Sequence, residues 1–140
     1  MKKLLLILVL LVSGCVHKPQ YYLYVYYAKT CPVCHSFISV VIPQLEEKYG
    51  SNMKITKMDI DKEESLDAYA KTCSLLKDYS VDDKSGTVPF IVLDGYFAKV
   101  GYDIGSDQLM IDAIDLAIKK EPLPSQLQDI YYFEEGKTFH

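Results

Sequence analysis

From residue 21 onward the apolar positions follow first one period and then another, and each change marks an element. Tyr21-Tyr22-Leu23-Tyr24-Val25-Tyr26-Tyr27 is an unbroken aromatic and branched run, which predicts a strand buried on both faces. Phe37, Val40, Val41 and Leu45 then recur at helical steps, so a helix is expected from Pro32 to about Tyr49. Pro32 suits its first turn, Pro43 predicts a kink or a break, and Gly50 suits its end. Met53 to Ile60 alternates, with Met53, Ile55 and Lys57 against Lys54, Thr56 and Met58, which reads as a second strand.

Glu63 to Tyr79 returns to the helical period, with Leu66, Tyr69, Cys73 and Leu76 along one face. Val81 to Gly86 is a polar loop. Thr87-Val88-Pro89 leads straight into the compact apolar strand Phe90-Ile91-Val92-Leu93. Asp94-Gly95 is a two-residue hairpin signal, and Tyr96 to Val100 is the returning strand. Ser106 can cap a last helix, Asp107 to Lys119, whose Leu109, Ala113, Leu116 and Ala117 mark the buried side. Strand, helix, strand, helix, hairpin, helix is an α/β order. It predicts a central mixed four-stranded sheet flanked by helices, with a right-handed parallel βαβ unit first. This domain spans 21–120; the tail 121–140 either packs through Ile130, Tyr131, Tyr132 and Phe133 or stays loose.

The N-terminus follows neither period. Lys2 and Lys3 precede nine apolar residues, Leu4 to Val12. As a helix these reach about 14 Å, roughly half a ~30 Å hydrocarbon core, so residues 1–14 read as a signal peptide rather than a membrane span. Val12-Ser13-Gly14-Cys15 resembles the lipobox of bacterial lipoproteins. The resemblance implies cleavage before Cys15 and lipid on its sulfur, an anchor to a bacterial membrane from the extracytoplasmic side. Residues 15–20 are then a short polar tether. Export also sets the redox compartment, because disulfides persist outside the cytoplasm.

Composition narrows the partners. A chain of 140 residues with 49% apolar content is one small domain with a core. The net charge of -4 and the use of lysine for every one of the 15 basic residues argue against nucleic acid.

The candidate chemistry lies in Cys31-Pro32-Val33-Cys34-His35. Taken as Cys-x-x-Cys it is a redox dithiol; taken as Cys-x-x-Cys-His it is a c-type haem attachment site. The haem needs a distal ligand, for which His17, Met53, Met58, Met110 and His140 are formal candidates. A zinc site of Cys31, Cys34, His35 and Cys73 lacks the second ligand cluster that such sites generally pair. Cys73 falls on an apolar helix face and reads as core. Asp59, Asp61, Asp82 and Asp83 are not spaced as a calcium loop and read as solvated.

The order of elements, with Cys-x-x-Cys opening the first helix and Val88-Pro89 opening the third strand, resembles the thioredoxin fold. Tyr27 to Cys34, Thr87-Val88-Pro89, the Asp94-Gly95 hairpin and Lys99-Val100-Gly101 carry the likeness, which covers roughly Tyr21 to Lys120. The resemblance implies an oxidoreductase with no metal or organic cofactor, only a redox-active Cys31–Cys34 disulfide. Cys31, at a helix N-terminus that favours its thiolate, would attack, and Cys34 would resolve the mixed disulfide. The resemblance further implies a cis proline at Pro89, with Val88 and Pro89 as the substrate-docking ledge. His35 is a candidate for tuning the sulfurs. Three features depart from the family: Val25 stands where a buried acid is usual, Thr30 stands where a tryptophan precedes the first cysteine, and the second helix with its following loop is longer than in a minimal thioredoxin. The expected partners are exported thiol or disulfide proteins and a redox partner protein. Pro-Val between the cysteines leaves the direction of electron flow open. A non-catalytic binding or secretion-accessory lipoprotein on the same scaffold is the alternative.

Overall fold

The computed structural model describes residues 17–80 and 86–140. The expected signal peptide, Cys15, Asp82 and Asp83 lie outside the described residues. Strand β1 is Tyr21–Tyr27. Helix α1, Pro32–Ser36, runs through a π-helical turn, Phe37–Val41, into α2, Ile42–Tyr49. The 3-10 turn Gly50–Asn52 leads to β2, Met53–Asp59. Helix α3 is Glu63–Ser74, β3 is Phe90–Leu93, β4 is Phe97–Val100, α4 is Asp107–Ile118 and β5 is Ile130–Tyr132.

The sheet is mixed and has five strands in the order β2-β1-β3-β4-β5. This corrects the expected four. β1 and β2 are parallel, and every other pairing is antiparallel. The fifth strand comes from the tail, which pairs Phe97 with Tyr132, Ala98 with Tyr131 and Lys99 with Ile130. Three residues are too few to show a period, so only the open edge of β4 makes this segment a strand.

β1 lies inside the sheet between β2 and β3, and its residues Leu23 to Tyr26 are buried on both faces. Because successive side chains alternate, Leu23 and Val25 join Phe37, Leu45, Ile91, Met110 and Ile114 on the α1–α2 and α4 side. Tyr24 and Tyr26 join Tyr69, Cys73, Phe90 and Val92 on the α3 side.

Pro43 is absorbed by the widened turn before it. Proline cannot donate to the carbonyl four residues back; here Ile42 N–H reaches five back, to Phe37 O. The Gln44 side chain donates to Val40 O at 2.9 Å.

Other expectations shift. α3 stops at Ser74 rather than Tyr79, because Leu76 bridges to Phe133 and Lys77 N–H donates to Tyr132 O at 2.8 Å. Leu66 is 46% exposed, and Ser65 and Thr72 take the buried positions of that helix beside Tyr69 and Cys73. The hairpin loop has three residues, Asp94 to Tyr96, closed by Tyr96 N–H on Leu93 O, with Gly95 at φ +75. Ser106 is the N-cap residue of α4 as expected, but its side chain accepts no helix N–H; its hydroxyl donates to Asp103 O at 2.7 Å. The buried stripe of α4 is Met110, Ile111, Ala113, Ile114 and Ala117, with Leu109 and Leu116 at its flanks.

Candidate active site

One end of the sheet gathers the chemistry. β1 and β2 finish there at Tyr27 and Asp59, which are paired in register. β3 starts there at Phe90, opposite Tyr26. Gly101, just past β4, donates its N–H to Pro89 O at 2.8 Å. The loop 28–31, the Val88–Pro89 step and the exit of β4 therefore surround the same sheet end.

The loop after β1 is a turn closed by Cys31 N–H on Ala28 O at 3.1 Å. Cys31 is the N-cap of α1 with extended backbone, and its Sγ accepts the Cys34 N–H at 3.1 Å. A side-chain acceptor at that position satisfies one of the orphan donors of a helix start. Pro32 follows where no donor is needed. Cys31 and Cys34 are joined as a disulfide with their Cα atoms 5.2 Å apart. Cys31 is half-buried and Cys34 is fully buried, so an incoming sulfur has access only through Cys31.

The Val88–Pro89 peptide is cis. Pro89 is buried and Val88 is half-buried, and Tyr69 braces the step by donating to Thr87 O at 2.9 Å. His35 is exposed, and its Nε2 lies 2.7 Å from Lys29 O. A carbonyl only accepts, so Nε2 carries the proton. The ring thus ties to the turn that precedes the cysteines.

Asp59 overturns an expectation. It is 5% exposed rather than solvated. Its Oδ1 accepts Asp61 N–H at 3.1 Å, and its Oδ2 lies 3.4 Å from the ammonium of Lys29. The alternation of β2 carried the signal: Met53 and Ile55 pack into the core on the α1–α2 side, and Asp59 continues their parity. Tyr102, likewise unanticipated, packs edge-on against Phe37 with centroids 5.2 Å apart. Burial pushes its phenol up, with Asp107 adding to the rise.

The remaining candidates lie elsewhere. Cys73 is a free, buried thiol in the core on the α3 side, away from the face that holds Val33 and Phe37, and burial pushes it up. It does not complete a ligand set with Cys31, Cys34 and His35. Among the described residues no three His, Cys, Asp or Glu side chains form a metal-binding group. His17, Met53 and His140 stand at the opposite end of the sheet, beside Asn52, Tyr21 and Tyr22 respectively, and Met110 is sealed in the core. No described helix is long and apolar enough to cross a membrane.

No protein-family model, curated protein or solved structure matches this chain.

Proposed function

We propose that the protein is a thioredoxin-like thiol–disulfide oxidoreductase, anchored outside the cytoplasm by lipid on Cys15. Its substrates are exported thiol or disulfide proteins. The observation that carries this reading is the asymmetric pair itself: an accessible helix-capping Cys31 bonded to a buried Cys34. The cis Val88–Pro89 step at the same sheet end and the parallel β1–β2 pair followed by the antiparallel β3 and β4 support it.

In the reducing direction the Cys31 thiolate attacks a substrate disulfide, and one substrate thiolate leaves. Cys34, as thiolate, then attacks the Cys31 sulfur, the second substrate thiolate leaves, and two electrons have passed to the substrate. In the oxidising direction a substrate thiolate attacks Cys31 of the disulfide and the steps reverse. A redox partner protein resets the pair. Ile104, 67% exposed in the loop that leaves β4 at this end, offers an apolar contact to a polypeptide substrate.

The tether fits this arrangement. Gln20 N–H donates to Asn52 O at 2.8 Å, and His17 Nε2 lies 2.6 Å from Asn52 Oδ1. Both contacts are at the start of β1 and β2. β1 puts about 20 Å between that end and the cysteines, so the pair faces away from the anchor, toward soluble substrates.

The test is insulin reduction and trapping. The full chain reduces insulin or oxidatively refolds a reduced protein, Cys31→Ser does neither, and Cys34→Ser accumulates mixed disulfides through Cys31 with exported proteins. An inactive parent whose Cys31→Ser variant keeps its cellular role would replace the enzyme with the binding lipoprotein.

A further inference from the structure

Asp59 is a buried carboxylate at the cysteine end of the sheet that takes no part in the exchange cycle. Burying such a group is costly unless it is paired, and Asp59 is paired with Lys29 at 3.4 Å and with Asp61 N–H at 3.1 Å. Lys29 is the second residue of the turn that Cys31 N–H closes on Ala28 O. The same residue is held from its other side, because His35 donates to its carbonyl at 2.7 Å. One tie runs to β2 through the side chain and the other to α1 through the main chain.

The last residue of this turn is Cys31, and its polar groups are engaged. Its N–H goes to Ala28 O, its carbonyl accepts His35 N–H at 3.1 Å, and its sulfur accepts Cys34 N–H at 3.1 Å. A displaced turn therefore moves the sulfur away from the helix N–H groups that favour its thiolate.

We infer that Asp59 is a positioning residue for Cys31, acting through Lys29, with His35 as the second tie. The purpose rests on the oxidoreductase reading; the geometry stands without it.

The sign of one substitution separates positioning from plain electrostatics. Asp59→Asn removes a negative charge. Through space alone, and at a pH where labelling still rises with pH, that change raises the thiolate fraction and speeds the reaction. Loss of positioning slows it. The readout is the iodoacetamide labelling rate of Cys31 in the reduced full chain in detergent, resolved by peptide mass, with the Cys31–Cys34 equilibrium against glutathione alongside.

Asp59→Asn and Lys29→Met each slow labelling by about three- to tenfold, the range of a helix-terminus interaction, and move the equilibrium toward the disulfide. The double variant is no slower than the slower single, because both cut the same tie. His35→Ala slows labelling in the same direction. A rate in Asp59→Asn that equals or exceeds the parent's overturns the inference. Should Asp59→Asn fail to fold, Lys29→Met decides in salt, since that side chain is 69% exposed and its direct field at the sulfur is screened in about 1 M KCl: slowed labelling that persists there supports the inference, and slowing that vanishes or never appears overturns it. A parent that neither reduces insulin nor oxidatively refolds a reduced protein, while Asp59→Asn still slows labelling, removes the oxidoreductase reading and keeps the positioning.

Discussion

Removing the hydroxyl of Tyr26 should weaken the protein at neutral pH and protect it in alkali. Tyr26 is 0% exposed, and its hydroxyl lies 3.1 Å from Thr72 Oγ1. Thr72 spends its own proton on Ala68 O at 2.9 Å, so Tyr26 is the donor into Thr72. Burial pushes the phenol from 10.0 up to about 12. The fold therefore prefers the neutral phenol. Stability is intact below pH 10.0 and is lost as pH rises toward about 12. At about pH 11 the difference between folded and unfolded titration is close to tenfold, or about 1.4 kcal/mol. Tyr26→Phe lacks this loss and instead lacks one neutral hydrogen bond, worth about 1 kcal/mol at any pH. In urea unfolding followed by far-UV circular dichroism, the variant should be weaker than the parent by about 1 kcal/mol at pH 8 and level with it or stronger at pH 11. Every other titrating group is common to both proteins. A deficit of the same size at both pH values would refute the reasoning.

Asp115 predicts an acid limb. It accepts from Lys119 at 2.8 Å, from Tyr49 at 2.9 Å and from Lys48 at 3.1 Å, and these partners, Lys119 first, hold its carboxyl well below 3.8. The stability it adds is present above pH 3.8 and fades as pH falls below that. Asp115→Asn should lose no more than about 1 kcal/mol at neutral pH, because the node is partly exposed, and show a shallower acid loss by urea titration; an unchanged acid slope counts against the node. Asp94 predicts a local release: its carboxylate accepts the N–H groups of Phe139 at 2.6 Å and His140 at 2.8 Å. With bonds to a charged acceptor worth about 1.5–3 kcal/mol each, Asp94→Ala should speed amide exchange at 139 and 140 by at least about tenfold while β1 stays protected. Unaltered exchange at those two amides contradicts it.

The strands with a dense local signal were legible. The bounds of β1 and β3 follow the aromatic run and the Phe90–Leu93 cluster residue for residue, and the cysteine motif and Val88–Pro89 announce themselves within a few positions. What was not legible depends on partners far along the chain. β5 exists because β4 has a free edge. α3 ends early because Leu76 meets Phe133, a residue of the tail. The helical period also mistook a face by part of a turn, since Thr72 satisfies its hydroxyl inside the core and Leu66 turns outward. Asp59 escaped for a related reason: aspartate composition says solvent, and only its parity with Met53 and Ile55 says core.

That misjudged aspartate bears on the proton problem of the proposed cycle. Val25 leaves β1 without an acid near the cysteines, and it is fully buried among apolar neighbours. The nearest replacement by fold position is Asp59, on the adjacent strand and on the same parity as the core side of β2. Its two oxygens are already engaged, one by Asp61 N–H and one by Lys29. With both oxygens so engaged, the side chain is suited to fixing the turn. Cys34 itself is sealed while the disulfide is closed. In the cycle proposed, its proton must then pass to solvent admitted when Cys31 carries a substrate. Attack at Cys31 would need no internal base, since the helix start favours the thiolate, and the resolving step would carry the stronger dependence on pH.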